Sequence, residues 1–504
     1  MKNKAINKIY SVIAVIAITL IGSSCSNFFE EQAGNRIEPG NHYKSLIDLT
    51  EVSMPGVLTP LKEAMPKLIL IDGLLSDQLM VTENADGYMR DINEHIFSID
   101  NPYLNTSDFY KLIINANEVL QNLYKIAEID PDFDEFYVSS YENYLIGMRS
   151  WAYFTLVKLN GEAAWIEDNM TELPENGLSY IPKDAMLDTL INQLLPNLHT
   201  DLNLDEIYIP LYVNTKVLIG EIYLEKNDYS NAVTYLKMGL ESYGDDKKMF
   251  KLEKTFQKES WFTIFLNAEN NTIENISVIP FKSTEGQVNP VTQWTLYNDQ
   301  YVVKPSQRMM NLFMNQYPVK GAKGDTYRGI GFSVDTVATG EAYVKKYGLD
   351  VGEPYGADII ISRAADIHLL LAEAYNRMGD STTALIFLNT GWSRAAKIPT
   401  EYRRWNGNLG VRGRLNLMPR TVPSDITDPT KIMEYIEDAI IEERSLELAF
   451  EGHRYFDLMR IARRRNDKNY LASRVASKFT DEAQRKKIQE YLWNENTWYI
   501  PLNK

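Results

Sequence analysis

Cysteine is nearly missing from this 504-residue chain. Cys25 is the single one, which excludes an internal disulfide framework and any zinc site built on several thiolates. Histidine is scarce as well: His42, His95, His199, His368 and His453 are scattered singly, and each reads as structural rather than as a metal ligand. Positive charge is in deficit, 52 Lys and Arg against 68 Asp and Glu for a net charge of −16, with no long basic run; nucleic acid is thereby excluded as the main partner. No HExxH, GxSxG, phosphate-loop or dinucleotide fingerprint occurs, so neither a metal nor a cofactor is expected. Asp130-Pro131-Asp132-Phe133-Asp134 alternates like a calcium loop, but Glu135 stands where the glycine is needed and Tyr141 where the bidentate glutamate belongs; it reads as a solvated acidic loop. What is present, 44% hydrophobic and 24% charged residues, suffices for a large folded core.

The N-terminus reads as an address. Lys2, Lys4 and Lys8 precede an apolar stretch from Ile9 to Ile21, shorter than the roughly 20 residues a comfortable membrane span needs. The stretch ends in Gly22-Ser23-Ser24-Cys25, which resembles a bacterial lipobox with Gly22 where an apolar residue is commonest. This assigns residues 1–24 to a signal peptide and Cys25 to the acylated first residue, with residues 25–40 as lipidated terminus and tether. Acyl chains contribute about 0.8 kcal/mol per buried CH2, so several on one cysteine hold a protein on a membrane without a spanning helix. The acidic stretch Ser26 to Glu31 loosely resembles the surface-export signal of Bacteroidetes lipoproteins.

One domain fills residues 41–504, helical over 41–245, loop-rich over about 246–360, and helical again over 361–504. Phe109, Leu112, Ile113, Ala116, Val119 and Leu120 share one face of a core helix, and a similar helix from Met148 to Leu159 stops at Asn160-Gly161. Two stretches fit the tetratricopeptide pattern, in which small residues let paired helices approach closely. Ile219, Gly220, Tyr223, Ala232 and Leu236 fill its slots once; Leu371, Ala372, Tyr375, Ala384 and Leu388 fill them again, with Gly379 at the turn. Between these pairs, Pro280 to Gly356 holds nine glycines and five prolines, so the backbone there is irregular. Ile276–Ile279 and Trp261–Phe265 are expected as short strands. The fold class is therefore mainly α: a tetratricopeptide-like helical-pair scaffold carrying an irregular, minor-β, ligand-binding half.

The segment Glu442-Glu443-Arg444-Ser445-Leu446-Glu447-Leu448-Ala449-Phe450-Glu451-Gly452-His453-Arg454-Tyr455-Phe456-Asp457-Leu458 resembles the hallmark of SusD/RagB proteins. Further matches run through Arg149 to Gly161, Arg363 to Tyr375, Asn389 to Ala396 and the closing Trp498 to Leu502. The resemblance implies a non-enzymatic lipoprotein of the outer membrane, facing the cell surface. Such a protein captures oligosaccharide or peptide and closes as a lid over a SusC-like TonB-dependent transporter. A periplasm-facing helical-repeat scaffold and a secreted glycosidase are the rival readings. Glu443, Glu447, Glu451 and Asp457 offer an acid and a base to the last of these, yet the four-residue spacing of Glu443, Glu447 and Glu451, with Arg444 and Arg454 close by, reads better as an ion-paired helix corner. Gly452 supplies the positive φ that ends the helix.

The ligand surface is sought among the aromatics, 31 tyrosines and 8 tryptophans, whose flat faces and polar edges suit sugar rings and peptide side chains. Tyr88 and Tyr103 lie in an N-terminal loop region; Trp294, Tyr297 and Tyr301 lie in the irregular insert. Between Glu401 and Arg420, Arg403, Arg404, Arg412, Arg414 and Arg420 face one acid. With Trp405 among them they form a candidate basic patch, Arg403, Arg404 and Arg412 being the expected subsite for an anionic glycan.

Overall fold

An amphipathic helix must bury its stripe against another element, and the N-terminal half of this chain does so by pairing helix with helix. The computed structural model describes residues 43–166, 177–198, 213–241, 249–252, 259–266, 268, 273–298, 300–348, 355–395, 397–405 and 408–502, the side chains of residues 259, 260 and 404 excepted. The leader, Cys25, the tether, His42, His199 and the side chain of Arg404 lie outside that description.

Helix α1 (Met54–Leu75) leads through strand β1 (Leu79–Val81) and the short α2 (Gly87–Asn93) to α3 (Ser107–Ile129) and α4 (Glu135–Asn160). Phe109, Leu112, Ile113, Ala116 and Val119 are buried on α3, as their spacing requires. The acidic loop serves as a cap: the Asp134 carboxylate accepts the amides of Phe136 and Tyr137 at 2.9 and 3.3 Å, and Asp130 accepts that of Leu46 at 3.1 Å. At its other end α4 stops on Gly161, whose φ of 78° is open to glycine at little cost. Strands β2 (Glu162–Ala164) and β3 (Tyr180–Pro182) pair and lead into α5 (Lys183–Leu194).

Helices α6 (Thr215–Glu225) and α7 (Tyr229–Glu241) are the first tetratricopeptide-like pair. After them come β4 (Asn275–Ile279), α8 (Pro290–Thr295), β5 (Val303–Pro305), α9 (Gln307–Met314), the hairpin of β6 (Val334–Thr336) and β7 (Ala342–Val344), and β8 (Ile359–Arg363). The second pair is α10 (Ala364–Arg377) with α11 (Ser381–Leu385), the turn between them falling at Gly379 with φ 85°. The chain closes with α12 (Pro429–Glu447), α13 (Arg454–Arg465), α14 (Lys468–Ala476) and α15 (Glu482–Tyr491).

The described strands form four two-stranded antiparallel sheets, β1–β5, β2–β3, β4–β8 and β6–β7, which tie the irregular insert to the helices around it. Ile276–Ile279 is a strand as expected; Trp261–Phe265 is not. A helical turn (Glu259–Phe262) continues into turns there, placing Trp261 and Phe265 in a small apolar cluster with Ile264, Leu415 and Leu417. The residues are buried by tertiary packing, which overrides their β propensity.

Gly220 sits where α6 and α7 approach most closely: a Cβ added to it would lie 2.6 Å from Leu236 Cγ and 3.0 Å from the Leu236 amide nitrogen. Gly220→Ala should therefore destabilise the protein by about 1–3 kcal/mol despite its better helix propensity. Gly56→Ala, in α1 with nothing within 4 Å of the new methyl, should stabilise it by about 0.5–1 kcal/mol. Urea unfolding of both variants checks this; a Gly220→Ala protein as stable as the parent would contradict the close approach.

Candidate functional site

The first candidate is the carboxylate-rich turn at the end of α12. Glu443 and Glu447 leave the last turns of the helix on one face, and the chain then reverses through Phe450 (φ 66°) and Gly452 (φ 86°) to bring Glu451 beside them. All three are buried. Glu447 accepts from Arg328 Nη1 and Arg363 Nη1, each at 2.7 Å, and from Arg414. Glu451 accepts from Arg363 Nε at 2.9 Å and from Lys346 Nζ at 2.7 Å. Glu443 pairs with Arg328 Nη2 at 2.7 Å and with Arg412. Glu274, just ahead of β4, bridges Arg363 at 2.9 Å and Arg414, and Asp325 takes Arg328 Nε at 2.6 Å.

The charges of Glu274, Asp325, Glu443, Glu447 and Glu451 are thus matched by Arg328, Lys346, Arg363, Arg412 and Arg414. Burial works against the charge of Glu447, yet Arg414, Arg363 and Arg328 outweigh it and hold its carboxyl far below the usual range. Glycoside hydrolysis needs one carboxyl raised to serve as an acid; here burial raises all three, and in each the cations reverse the shift to a net lowering. The turn is an ionic clamp. Its partners differ from the sequence expectation: Arg444 reaches Asp366 at 2.5 Å and Asp457 at 2.7 Å, and Arg454 reaches Asp77 at 2.8 and 2.9 Å.

The same clamp corrects the basic patch. Arg412 and Arg414 are 3% and 1% exposed, ion-paired within the protein, and Arg420 pairs with Glu442, so the charge is consumed inside the protein. Of the two expected anionic-subsite side chains that are described, Arg403 is at the surface and Arg412 is buried. Trp405, expected at the ligand surface, is fully buried: its Nε1 donates to Glu241 at 2.8 Å, and its ring packs on His368, Phe387 and Tyr402.

The second candidate is a surface built from two stretches far apart in sequence. Strands β1 and β5 pair, and just beyond them Thr82 donates its amide to Val302 O (2.8 Å) and its hydroxyl to Tyr301 O (2.6 Å). Val302 in turn donates to Trp294 O at 3.0 Å. These bonds lay the 82–104 loop against the 290–302 segment. Tyr103 stands edge-on to Trp294, centroids 6.1 Å apart at 85°, with its hydroxyl fixed on Asp86 at 2.7 Å; the Tyr88 hydroxyl donates to Asp100 at 3.1 Å. Tyr297 lies between Tyr301 at 5.3 Å and Tyr343 of β7 at 5.7 Å. Five of the six expected aromatics are therefore connected through two loops. Tyr301 is only 5% exposed and supports Tyr297, while Tyr88, Tyr103, Trp294 and Tyr297 are half-exposed. Sequence reasoning missed Tyr343 and the Glu341 carboxylate 3.4 Å from the Tyr297 hydroxyl; the alternation Ala342-Tyr343-Val344 after Gly340 was the available signal.

The SusD_RagB family model, described as the SusD family, matches residues 350–504. The "SusD-like protein P2" of Formosa agariphila is 22% identical over 491 residues, covering 89% of both chains. Among solved structures, a SusD superfamily protein from Bacteroides vulgatus superposes with a TM-score of 0.67 at 17% identity, over 91% of this chain and 96% of that one. A "Laminarin binding SusD-like protein" superposes at 0.57, also with 17% identity, over 88% and 96%.

Glu447→Gln leaves buried guanidinium groups without their shared anion, and should cost about 3–5 kcal/mol. Acid acts in the same direction. Glu447, Glu373 and Asp77 titrate below their ordinary values of 4.5, 4.5 and 3.8 because, although burial opposes their charge, arginines outweigh it. Their contribution is complete above those values and is lost as pH falls through the lower folded-state values. Burial, chiefly, holds His95 at about 3 and His368 at about 4, so their contribution begins to be lost below the unfolded value of 6.5. The thermal midpoint should fall as pH drops below about 4.5, where the unfolded carboxylates take up protons that the folded clamp refuses; a midpoint unchanged between about pH 5 and pH 3, or a Glu447→Gln protein of parental stability, would contradict the clamp.

Proposed function

Because the chain belongs to the SusD/RagB family, we propose that it binds an oligosaccharide on the Trp294–Tyr297 face and passes it, without chemistry, to a SusC-like TonB-dependent transporter. The observation that carries this reading is the meeting of separate loops in two ring groups, Tyr103 edge-on to Trp294 and Tyr297 between Tyr301 and Tyr343, with the Tyr88 carbonyl held by the Asn101 side chain of the Tyr103 loop. Rings with apolar faces and hydroxyl edges stack on sugar rings, and Asp86, Asp100 and Glu341 beside them offer acceptors for sugar hydroxyls. The structural likeness to a laminarin-binding protein favours a glycan over a peptide. Affinity on such an open surface comes from stacking and hydrogen bonds, less the cost of ordering the ligand.

In this reading Cys25 carries acyl chains and holds the protein on the outer membrane, facing the cell surface. Among the described residues no helix is long and apolar enough to cross a membrane. Handover then rests on differential contacts of the ligand-bound protein with closed and open transporter states.

Trp294→Ala and Tyr297→Ala should each weaken oligosaccharide binding about tenfold, consistent with roughly 1–1.5 kcal/mol per ring contact. Calorimetry with chromatography of the recovered glycan tests both halves: unchanged affinity in both variants sinks the aromatic face, and shortened glycan sinks the absence of chemistry. Cys25→Ala should move the protein from the membrane fraction to the soluble one and abolish labelling by radioactive fatty acid. Persistent labelling would place the acyl group elsewhere.

A further inference from the structure

A second concavity of ≈ 570 Å³, within the range that holds small ligands, lies between α9, the turn at Met418–Arg420, Glu442 of α12 and the junction of α14 with α15. None of the aromatic-face residues lines it. Its floor and walls have two kinds of chemistry. Along α9, Gln307, Asn311 and Asn315 recur at four-residue steps on one exposed face, with Gln307 Nε2 donating to Asn311 Oδ1 at 3.0 Å. One helical turn, about 5.4 Å, is close to the length of a sugar ring, and each carboxamide both donates and accepts, as a row of hydroxyls requires. Tyr317, 58% exposed, presents a flat ring at one lip.

The second kind is cationic. Arg308, Arg412, Arg420, Lys478 and Arg485 line the groove against one lining acid, Glu442. Arg412 and Arg420 are neutralised, by Glu443 and Glu442. The others are not fully neutralised. Arg308 bonds Asp77 at 2.6 Å, but that single carboxylate also serves Arg454 at 2.8 Å, leaving the trio with one positive charge. Arg485 is steered by the Phe479 carbonyl, at 3.2 Å from Nε and 3.0 Å from Nη2, and meets no carboxylate within ion-pair distance among the described residues. Lys478 is buried and donates to the Leu74 carbonyl; burial, against the attraction of Asp77, pulls its pKa down to about 7, so it is only partly charged at neutral pH and the excess rests on Arg308 and Arg485. In a chain of net charge −16 this is a local excess of positive charge in a concave site.

We propose that this groove is a second ligand site, selective for a saccharide that carries an oxyanion, carboxylate or sulfate. Arg485 and Arg308 face the oxyanion, and the α9 carboxamides hold the hydroxyls. An acidic peptide would meet the same cations, but the groove gives it a row of carboxamides and hydroxyls rather than an apolar hole for a side chain. The site stands apart from the aromatic face and does not depend on the reading given to that face.

The test is calorimetry on the purified protein with a uronic-acid tetrasaccharide, a sulfated tetrasaccharide, an uncharged glucose tetrasaccharide and tetraglutamate, each at low and high salt. At least one oxyanion sugar should bind more tightly than the neutral sugar and than tetraglutamate, and weaken as salt rises. Arg485→Gln and Asn311→Ala, both exposed and remote from the clamp, should each weaken that binding about five- to tenfold, with Arg485→Lys intermediate. Trp294→Ala should leave it within twofold; which of the two oxyanion sugars responds identifies the group recognised. No binding of either oxyanion sugar, equal binding of the neutral sugar or of tetraglutamate, or parental affinity in both groove variants overturns the proposal. So does an equal loss in Trp294→Ala, which would return the ligand to the aromatic face.

Discussion

Glu447 is the residue on which the fold turns. Its carboxylate is shared by Arg328 from the irregular insert, Arg363 from the end of β8 and Arg414 from the segment ahead of α12, partners 119, 84 and 33 residues away. Removing two charges from water costs several kcal/mol per ion, so such a cluster adds little net stability compared with a well-packed apolar core. What it adds is exclusivity. Five cations and five anions reach balance only when the insert, β8, the segment ahead of α12 and α12 itself are all in place, and any partial assembly leaves a buried charge without its counter-ion. Trp261 completes the site from the apolar side, its ring 5.4 Å from the Arg363 guanidinium and 5.3 Å from that of Arg414.

The aromatic face inherits its position from this clamp. The β6–β7 hairpin that carries Tyr343 is bounded by Arg328 and Lys346, both clamp members, so each end of the hairpin is pinned by a buried ion pair. The other half of the face is tied through Gln78. Its side chain donates to Ser445 O at 3.1 Å and accepts from the Phe450 amide at 3.0 Å, and its carbonyl accepts from Ser306 at 2.7 Å, beside the β1–β5 pair. The signature helix carries none of the aromatic-face residues, yet it positions both stretches from which they come. Strong sequence patterning at α12 and weak patterning at the loops follow from that division: a ten-charge cluster tolerates few alternatives, whereas a stacking surface can be built from many arrangements of rings.

That asymmetry also explains what the sequence made legible. The tetratricopeptide pairs could be read because the requirement is local: a small residue at Gly220 or Ala372 facing another helix a few turns away. The clamp could be read as an ion-paired corner from the spacing of Glu443, Glu447 and Glu451, but its partners could not, since Arg328 and Arg363 are brought in by chain reversals with no sequence-local trace. The same blindness misplaced Arg412 and Trp405. Charge counted over twenty consecutive residues describes a solvated patch only if the counter-ions are also near in sequence; here Glu274 and Glu443 lie outside the window. Trp261 misled for a related reason: its aromatic, β-prone neighbourhood reflects guanidinium contacts and not a pleated sheet. Tyr88, Tyr103, Trp294, Tyr297 and Tyr301 were chosen for lying in loops, and the β1–β5 pairing that joins them was invisible until the register was known.

The two concave or aromatic surfaces share one rigid element. Tyr301 precedes β5 and Gln307 follows it, while Ser306 between them caps α9 and donates its hydroxyl to the Asp77 carbonyl, next to Gln78. Asp77 in turn orients Arg308 in the groove and Arg454 at the start of α13. Both surfaces are therefore preorganised by buried hydrogen bonds of the same short segment, which lowers the ordering cost that an open binding surface otherwise incurs. Charge then separates their ligands. At long range the chain's net −16 disfavours any anion, but at physiological ionic strength that repulsion is screened beyond about 8 Å, and the local field near a binding groove decides. Asp86, Asp100 and Glu341 edge the aromatic face, which suits uncharged hydroxyls, whereas Arg308 and Arg485, incompletely balanced, edge the groove. A single acidic protein can in this way present a surface for neutral rings and a separate one for oxyanions, with neither compromised by the charge of the whole.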